Sequence, residues 1–203
     1  MELLGALHPD QPLLVVALAN EAEFFATDLP VLVTGVGKVN SGQSVLAALG
    51  GLEPERRPSG LINIGTAGAL RPGLHGTHVI GSVIQHDLDV KAIESLTGSN
   101  PAPPLRVGNG PILATGDRFI QRDDDRDRLA QLADFVDMEG YAVADAARIL
   151  NMKISIVKHV SDDAGDAAVT SWLESVARCS QELGGWLAAQ SGTFPVGDVG
   201  QAV

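Results

Sequence analysis

The chain has 203 residues, a net charge of −11, 45% hydrophobic residues and 19% charged ones. That length holds one sizeable core, and 23 Gly with 11 Pro exclude a low-complexity chain. So acidic a surface repels nucleic-acid phosphates and anionic membranes, so neither is expected as a partner. The one cysteine, Cys179, can form neither an internal disulfide nor a Cys-type zinc site. Cytoplasmic residence is the expectation. Met1-Glu2-Leu3-Leu4 lacks the basic and apolar regions of a signal peptide, and no apolar run reaches membrane-span length.

Leu13-Leu14-Val15-Val16-Ala17-Leu18 is a continuous apolar run of the kind found in strands buried on both faces. Glu21 to Ala26 reads as a short helix, Val31 to Thr34 as the next strand, and Val39 to Leu49 as a helix. Leu61-Ile62-Asn63-Ile64 is another buried strand, ended by Gly65. Thr77 to Ile84 reads as one long strand continuing unevenly towards Val90, and Gly98 to Pro104 as loop. Then follow a strand at Ile112-Leu113-Ala114, a helix at Arg126 to Leu132, a strand at Asp134 to Asp137 and a helix at Glu139 to Leu150. Lys153 to Val160 is a strand rich in β-branched residues. Val169, Trp172, Leu173, Val176, Leu183, Trp186 and Leu187 mark one stripe of a long terminal helix. Residues 1–190 are expected to form one domain and 191–203 a frayed tail. The alternation of strand and helix predicts a largely parallel sheet with helices on both faces.

Four strand-following segments carry small or acidic residues: Ala19-Asn20-Glu21-Ala22-Glu23, Gly35-Val36-Gly37-Lys38, Gly65-Thr66-Ala67-Gly68 and Ser161-Asp162-Asp163-Ala164. With Met138-Glu139 they make five elements at strand C-termini, which in a parallel sheet share one edge and can converge on one cleft. Each also has an ordinary structural explanation. Glu23 and Glu139 fit as first-turn helix acids, Asp162 as a cap, and the glycines as tight turns. Neither Gly-rich segment fits a Walker loop or a dinucleotide fingerprint. No Gly-x-Ser-x-Gly elbow is present. His86 has Asp87 and Asp89 nearby but no second His, so no metal is expected. Asp123 to Arg128 reads as a solvated helix start.

Six segments occur in one order: Thr34-Gly35-Val36-Gly37-Lys38-Val39-Asn40, Ile62-Asn63-Ile64-Gly65-Thr66-Ala67-Gly68, His86-Asp87-Leu88-Asp89-Val90, Gly116-Asp117-Arg118-Phe119-Ile120, Val136-Asp137-Met138-Glu139 and Val160-Ser161-Asp162. Together they resemble the methylthioadenosine/S-adenosylhomocysteine nucleosidase branch of the purine nucleoside phosphorylase superfamily. The resemblance implies a single α/β domain in which a mixed, mostly parallel sheet is flanked by helices, in three nucleoside phosphorylase-like layers. It implies hydrolysis of the N-glycosidic bond of a purine nucleoside in methionine salvage, without a cofactor. The expected substrate is a 5′-modified adenosine such as methylthioadenosine or adenosylhomocysteine, with futalosine-like or 5′-deoxyadenosine nucleosides next. A phosphorylase and a non-catalytic nucleoside-binding protein are the alternatives.

The resemblance assigns Asp162 as the acid that protonates the purine and Glu23 as the carboxylate that positions water. Met138 and Glu139 would bind ribose, and Phe119, Ile120, Thr66, Ala67 and Ser161 would surround the base. A phosphorylase needs cations for a phosphate dianion. The family's phosphorylases carry Arg where this chain has Asn63, and no Arg precedes Glu55, which favours water as nucleophile. Asn20 falls where the family has a Met of the 5′-group pocket, which argues against a purely apolar pocket there. Lys158 replaces a family Arg, and Asp163 an apolar residue. A homodimer is expected, although Ile93 to Pro104 does not match the family's aromatic dimer loop.

Overall fold

The computed structural model describes residues 1–166, 168–190 and 192–201, except for the side chains at 169–171, 173 and 174. Val169 and Leu173 of the expected terminal stripe therefore lie outside the described side chains. Eleven strands among the described residues form one mixed sheet. Its centre is β4 (Leu61–Ala69), which runs parallel to β10 (Ile154–Asp162) from Leu61↔Ile154 to Gly68↔Asp162. Since β10 takes one edge of β4 along its length, the other partners must share the remaining edge. They do so in succession. Strand β2 (Leu13–Val16) pairs parallel at Leu61 to Asn63, and β9 (Phe135–Asp137) pairs antiparallel at Gly68 and Ala69. Between them, Ile64 to Ala67 has no strand neighbour on that edge. This gap is where the cleft opens.

Alternation along the strands sends side chains to two layers. Leu13, Val15 and Leu61 pack with Val45 and Leu49 of α1 (Lys38–Leu49) and with Val143, Ala144 and Ala147 of the later helix Gly140–Ile149. Leu14, Val16, Ile62, Ile64 and Val157 pack with Leu183 and Leu187 of the terminal helix Ala168–Ala189. The apolar runs are thus buried on both faces between helical layers, as the sequence predicts. Each fully buried Leu, Ile or Val contributes about 1.5–3 kcal/mol by area, so these two strands are the heart of the core.

Outside this centre the order continues from β9 through β8 (Ile112–Thr115) to β6 (Ser82–Gln85) and β7 (Leu105–Arg106). On the opposite flank, β3 (Val31–Val33) pairs with β2 and with the antiparallel β1 (Glu2–Leu4).

Five local expectations are corrected. The helix at Glu21 to Ala26 is only a 3₁₀ turn, Ala19–Ala22. The long strand from Thr77 divides into β5 (Thr77–Val79) and β6 at Gly81, where a Cβ would stand 2.3 Å from Gly110 N. Backbone crosses backbone there, and the strand cannot run straight through. A helix not anticipated, α2 (Val90–Thr97), begins where Asp89 accepts from Ala92 N and ends at Gly98 with φ 73°. The Gly65 to Gly68 segment is strand rather than loop. Finally, the segment beyond Gln190 returns to the fold: Gly197 bridges Ile154, Phe194 and Val196 pack on the core, and β11 (Gly200–Gln201) pairs with β7. In chain order the remaining helices are α3 (Asp123–Leu129), α4 (Gly140–Ile149) and α5 (Ala168–Ala189).

Candidate active site

A cleft of about 330 Å³ lies at the gap beside β4, lined from the C-terminal ends of β2, β4, β9 and β10, the loop after β8, and α5. Two glycines of β4 make room for the carboxylates that flank it. A Cβ at Gly65 would stand 2.9 Å from Glu21 Oε1, and one at Gly68 would stand 3.1 Å from Asp162 Oδ1. Their lack of a side chain lets two acids reach the same strand.

Asp162 ends β10 at a register shift between Val160 and Asp162. This irregularity re-aims the terminal side chain. Its Oδ2 accepts from Ser161 Oγ at 2.7 Å and its Oδ1 from Ala164 N at 2.8 Å. Burial raises its pKa above the ordinary aspartate range, and the two donated hydrogen bonds only partly oppose this. Asp162 can therefore hold a proton at higher pH than a free carboxylic acid.

Glu21, within the 3₁₀ turn, also lines the cleft and is buried. Its Oε2 accepts from Ala17 N and Leu18 N, each at 3.2 Å. Its Oε1 accepts from Thr66 N at 2.9 Å and Thr66 Oγ1 at 3.0 Å. The N–H of Thr66 is free for this because the edge of β4 away from β10 has no strand neighbour there among the described residues.

Glu139 ends the junction between β9 and α4. It is buried, and its Oε1 accepts from Gly37 N at 2.8 Å. Burial and then the nearby Asp137 charge raise its pKa to about 8. Beneath it, Asp137 Oδ2 accepts from Lys158 Nζ at 2.9 Å and from Gly140 N at 2.8 Å, while Oδ1 accepts from Thr115 Oγ1 at 2.6 Å. Burial alone would lower the Lys158 pKa, but Asp137 and Glu139 outweigh it and raise the value. Lys158 thus remains a cation inside the fold, and the Lys-for-Arg replacement keeps a charge partner for Asp137.

The loop after β8 is held by a clamp to the loop before α1. Lys38 N donates to Asp117 Oδ1 at 2.8 Å, Asp117 N donates to Asp87 Oδ2 at 2.8 Å, and Lys38 Nζ pairs with Asp87 and Gln85. These bonds fasten the segment that carries Val36 to the one that carries Phe119, both of which line the cleft.

Of the expected site residues, Asp162, Met138, Glu139, Phe119, Ile120, Thr66, Ala67 and Ser161 all line the cleft. Glu23 does not. It is exposed just after the 3₁₀ turn, and Glu21 occupies the cleft instead. Asn20 is likewise exposed, and Leu18 lines the cleft two residues earlier. The doubt that Asn20 cast on an apolar cleft wall therefore falls away: Leu18, Val36 and Trp172 line the cleft with apolar surface. Glu21 had no sequence signal that separates it from Glu23, since both acids fall at one short turn. Trp172 had none beyond its helical stripe.

The chemistry available is an acid poised to carry a proton, a carboxylate surrounded by donors, and a third carboxyl among apolar walls and an aromatic ring. Residues 90–189 match the family model described as Phosphorylase superfamily. Over 188 residues the chain is 31% identical to the 5′-methylthioadenosine/S-adenosylhomocysteine nucleosidase of Bacillus velezensis, covering 75% of this chain and 77% of that one. It is 28% identical to the Anoxybacillus flavithermus protein of the same name, covering 89% and 94% of the two chains. Among solved structures, a mutant Helicobacter pylori MTAN with 5′-methylthioadenosine in the active site superposes with a TM-score of 0.77 at 19% identity, covering 91% of this chain and 99% of that one.

Proposed function

We infer the chemistry of the cleft from one premise: the chain belongs to the 5′-methylthioadenosine/S-adenosylhomocysteine nucleosidase family, within the phosphorylase superfamily. It is an N-glycosyl hydrolase that splits a purine nucleoside into free base and free sugar. The observation that carries the assignment of roles is the pair of buried carboxyls, Asp162 with its raised pKa and Glu21 with its four donors, lining one cleft.

In this reading Asp162 gives its proton to an imidazole nitrogen of the purine. The electrons of the glycosidic bond then pass to the base, leaving an oxocarbenium-like sugar. Water adds to the sugar carbon and loses a proton to Glu21. Glu139 accepts hydrogen bonds from the ribose hydroxyls, and Met138 packs against the ring. Phe119 lies on the base, with Ile120, Thr66, Ala67 and Ser161 around it. Lys158 and Asp137 fix the buried floor. Asn63 donates its amide to Val15 O at 3.1 Å, inside the sheet, so it offers no phosphate ligand.

The apolar walls Leu18, Val36 and Trp172 suit a 5′-thioalkyl adenosine, with methylthioadenosine and adenosylhomocysteine as the leading substrates. A homodimer is part of the proposal: Val36 and Phe119, at the cleft mouth, remain about 40% exposed (39% and 41%) and Val39 beside them 64%, an apolar rim a second copy would cover. A band at twice the chain mass in sedimentation tests it. Cytoplasmic residence is also proposed, resting on the single buried thiol. No helix among the described residues is long and apolar enough to cross a membrane.

The decisive test incubates the protein with methylthioadenosine, adenosylhomocysteine, 5′-deoxyadenosine and futalosine, with and without phosphate. Free base and free sugar at rates indifferent to phosphate are expected, fastest with the 5′-thio substrates. A sugar 1-phosphate product, or tight binding without turnover, would overturn the reading.

A further inference from the structure

The indole of Trp172 enters the cleft from α5 and donates its Nε1–H to Thr66 Oγ1 at 3.1 Å. An indole N–H is only a donor, so the threonine oxygen is the acceptor in this contact. The single hydroxyl proton of Thr66 is then left to point elsewhere. Glu21 Oε1, 3.0 Å away, is an acceptor for it. The direction of the chain is thereby set: indole to hydroxyl, hydroxyl to carboxylate. The start of α5 is itself tied down, because Ser175 Oγ donates to Ser161 O at 3.0 Å.

The other contacts of Glu21 are backbone N–H groups, from Ala17, Leu18 and Thr66. These are fixed by the fold. The Thr66 hydroxyl is the one rotatable donor among the four, and without a donor behind it the hydroxyl could turn towards the sugar or the water. Its orientation therefore depends on Trp172.

We propose that Trp172 is a positioning residue for hydrolysis: by donating to Thr66 it directs the threonine proton onto Glu21 and holds that carboxylate where it takes a proton from the attacking water. The proposal rests on the reading of Glu21 as the water-holding group. Trp172 also walls the cleft, so two effects must be separated. Loss of wall contact weakens ground-state binding and raises KM. Loss of the relay disturbs a group that acts in the transition state and lowers kcat.

The test is Trp172→Phe, which keeps an aromatic ring and removes the N–H, measured alone and combined with Thr66→Val and Thr66→Ser. The relay predicts that kcat falls roughly tenfold, as for the loss of one buried hydrogen bond, while KM changes by less than about threefold. It predicts that Trp172→Phe has no further effect in Thr66→Val, where the hydroxyl is already gone, but keeps its effect in Thr66→Ser. Multiplicative losses in the Thr66→Val pair, a rise in KM alone, or an unchanged kcat would each overturn it. If Trp172→Phe does not fold, replacing Trp172 by β-(benzothien-3-yl)alanine removes the N–H at nearly constant shape, and the same outcomes decide. Glu21→Gln runs alongside. Full activity there sinks the reading of Glu21 itself, whereas an inactive Glu21→Gln with an unaffected Trp172→Phe sinks only the relay.

Discussion

Asp162 and Glu21 are both buried carboxyls pressed against the same strand, yet the chain prepares them in opposite ways. Asp162 accepts two hydrogen bonds, one from the neighbouring Ser161 hydroxyl and one from Ala164 N. Burial dominates and its pKa rises. Glu21 accepts four, from three backbone N–H groups and a hydroxyl, the partner set of a carboxylate. The difference originates in the sheet. Glu21 draws a donor from the part of β4 that lacks a strand neighbour, whereas Asp162 sits where β10 still pairs with β4. In the proposed roles, acid and base differ in which edge of one strand each carboxyl meets.

This contrast can be broken from either side. The largest effect is expected on the acid side: Asp162→Asn should lower kcat by about 10³-fold, within the usual range for a general acid, while substrate still binds. Nucleoside binding by calorimetry beside adenine release checks both halves. The same proton sets a pH dependence. Because the raised pKa belongs to the free enzyme, kcat/KM should fall as pH rises through it, with that limb above the ordinary aspartate value, while protonation of the base sets a separate fall in acid. A profile that instead rises across that range would remove Asp162 as the acid.

The buried Lys158–Asp137 pair beneath Glu139 gives a stability test. Lys158→Met leaves Asp137 buried without its cation, which should cost about 3–5 kcal/mol, or roughly 10 °C in Tm for a chain of this size. Replacing Asp137 by Leu in the same protein should recover much of it. Retention of wild-type Tm in the single variant would show that the pair carries no weight. A smaller effect concerns Glu139. Its folded pKa of about 8 lies above the ordinary glutamate value of 4.5, so the folded state holds the extra proton between those limits. Stability is full below the lower value and declines as pH rises through the upper one. Glu139→Gln should flatten that decline in a series of melts.

The layout of the fold was largely legible. The apolar runs of β2, β4 and β10 announce strands buried on both faces, and the structure has a mixed sheet between helical layers. The cleft residues after β4, β8, β9 and β10 were also legible, because each follows a clear apolar run. Glu21 was not. Ala19 to Glu23 carries two acids two residues apart, and which of them faces inward depends on a 3₁₀ turn that folds back onto Ala17 and Leu18. Periodicity has no purchase on so short a turn. Trp172 was hidden for a different reason: its hydroxyl partner is 106 residues away in sequence, and only the return of α5 across the sheet joins them.

The central claim is that the 3₁₀ turn presents Glu21, and not Glu23, to the reacting water. Steady-state adenine release from methylthioadenosine by Glu21→Gln and Glu23→Gln, side by side, tests it most directly. Loss of a general base predicts a fall in kcat of at least about 10²-fold for Glu21→Gln, and the exposed Glu23→Gln should stay within about twofold of the parent. The reverse order, or equal losses in both, would contradict the account.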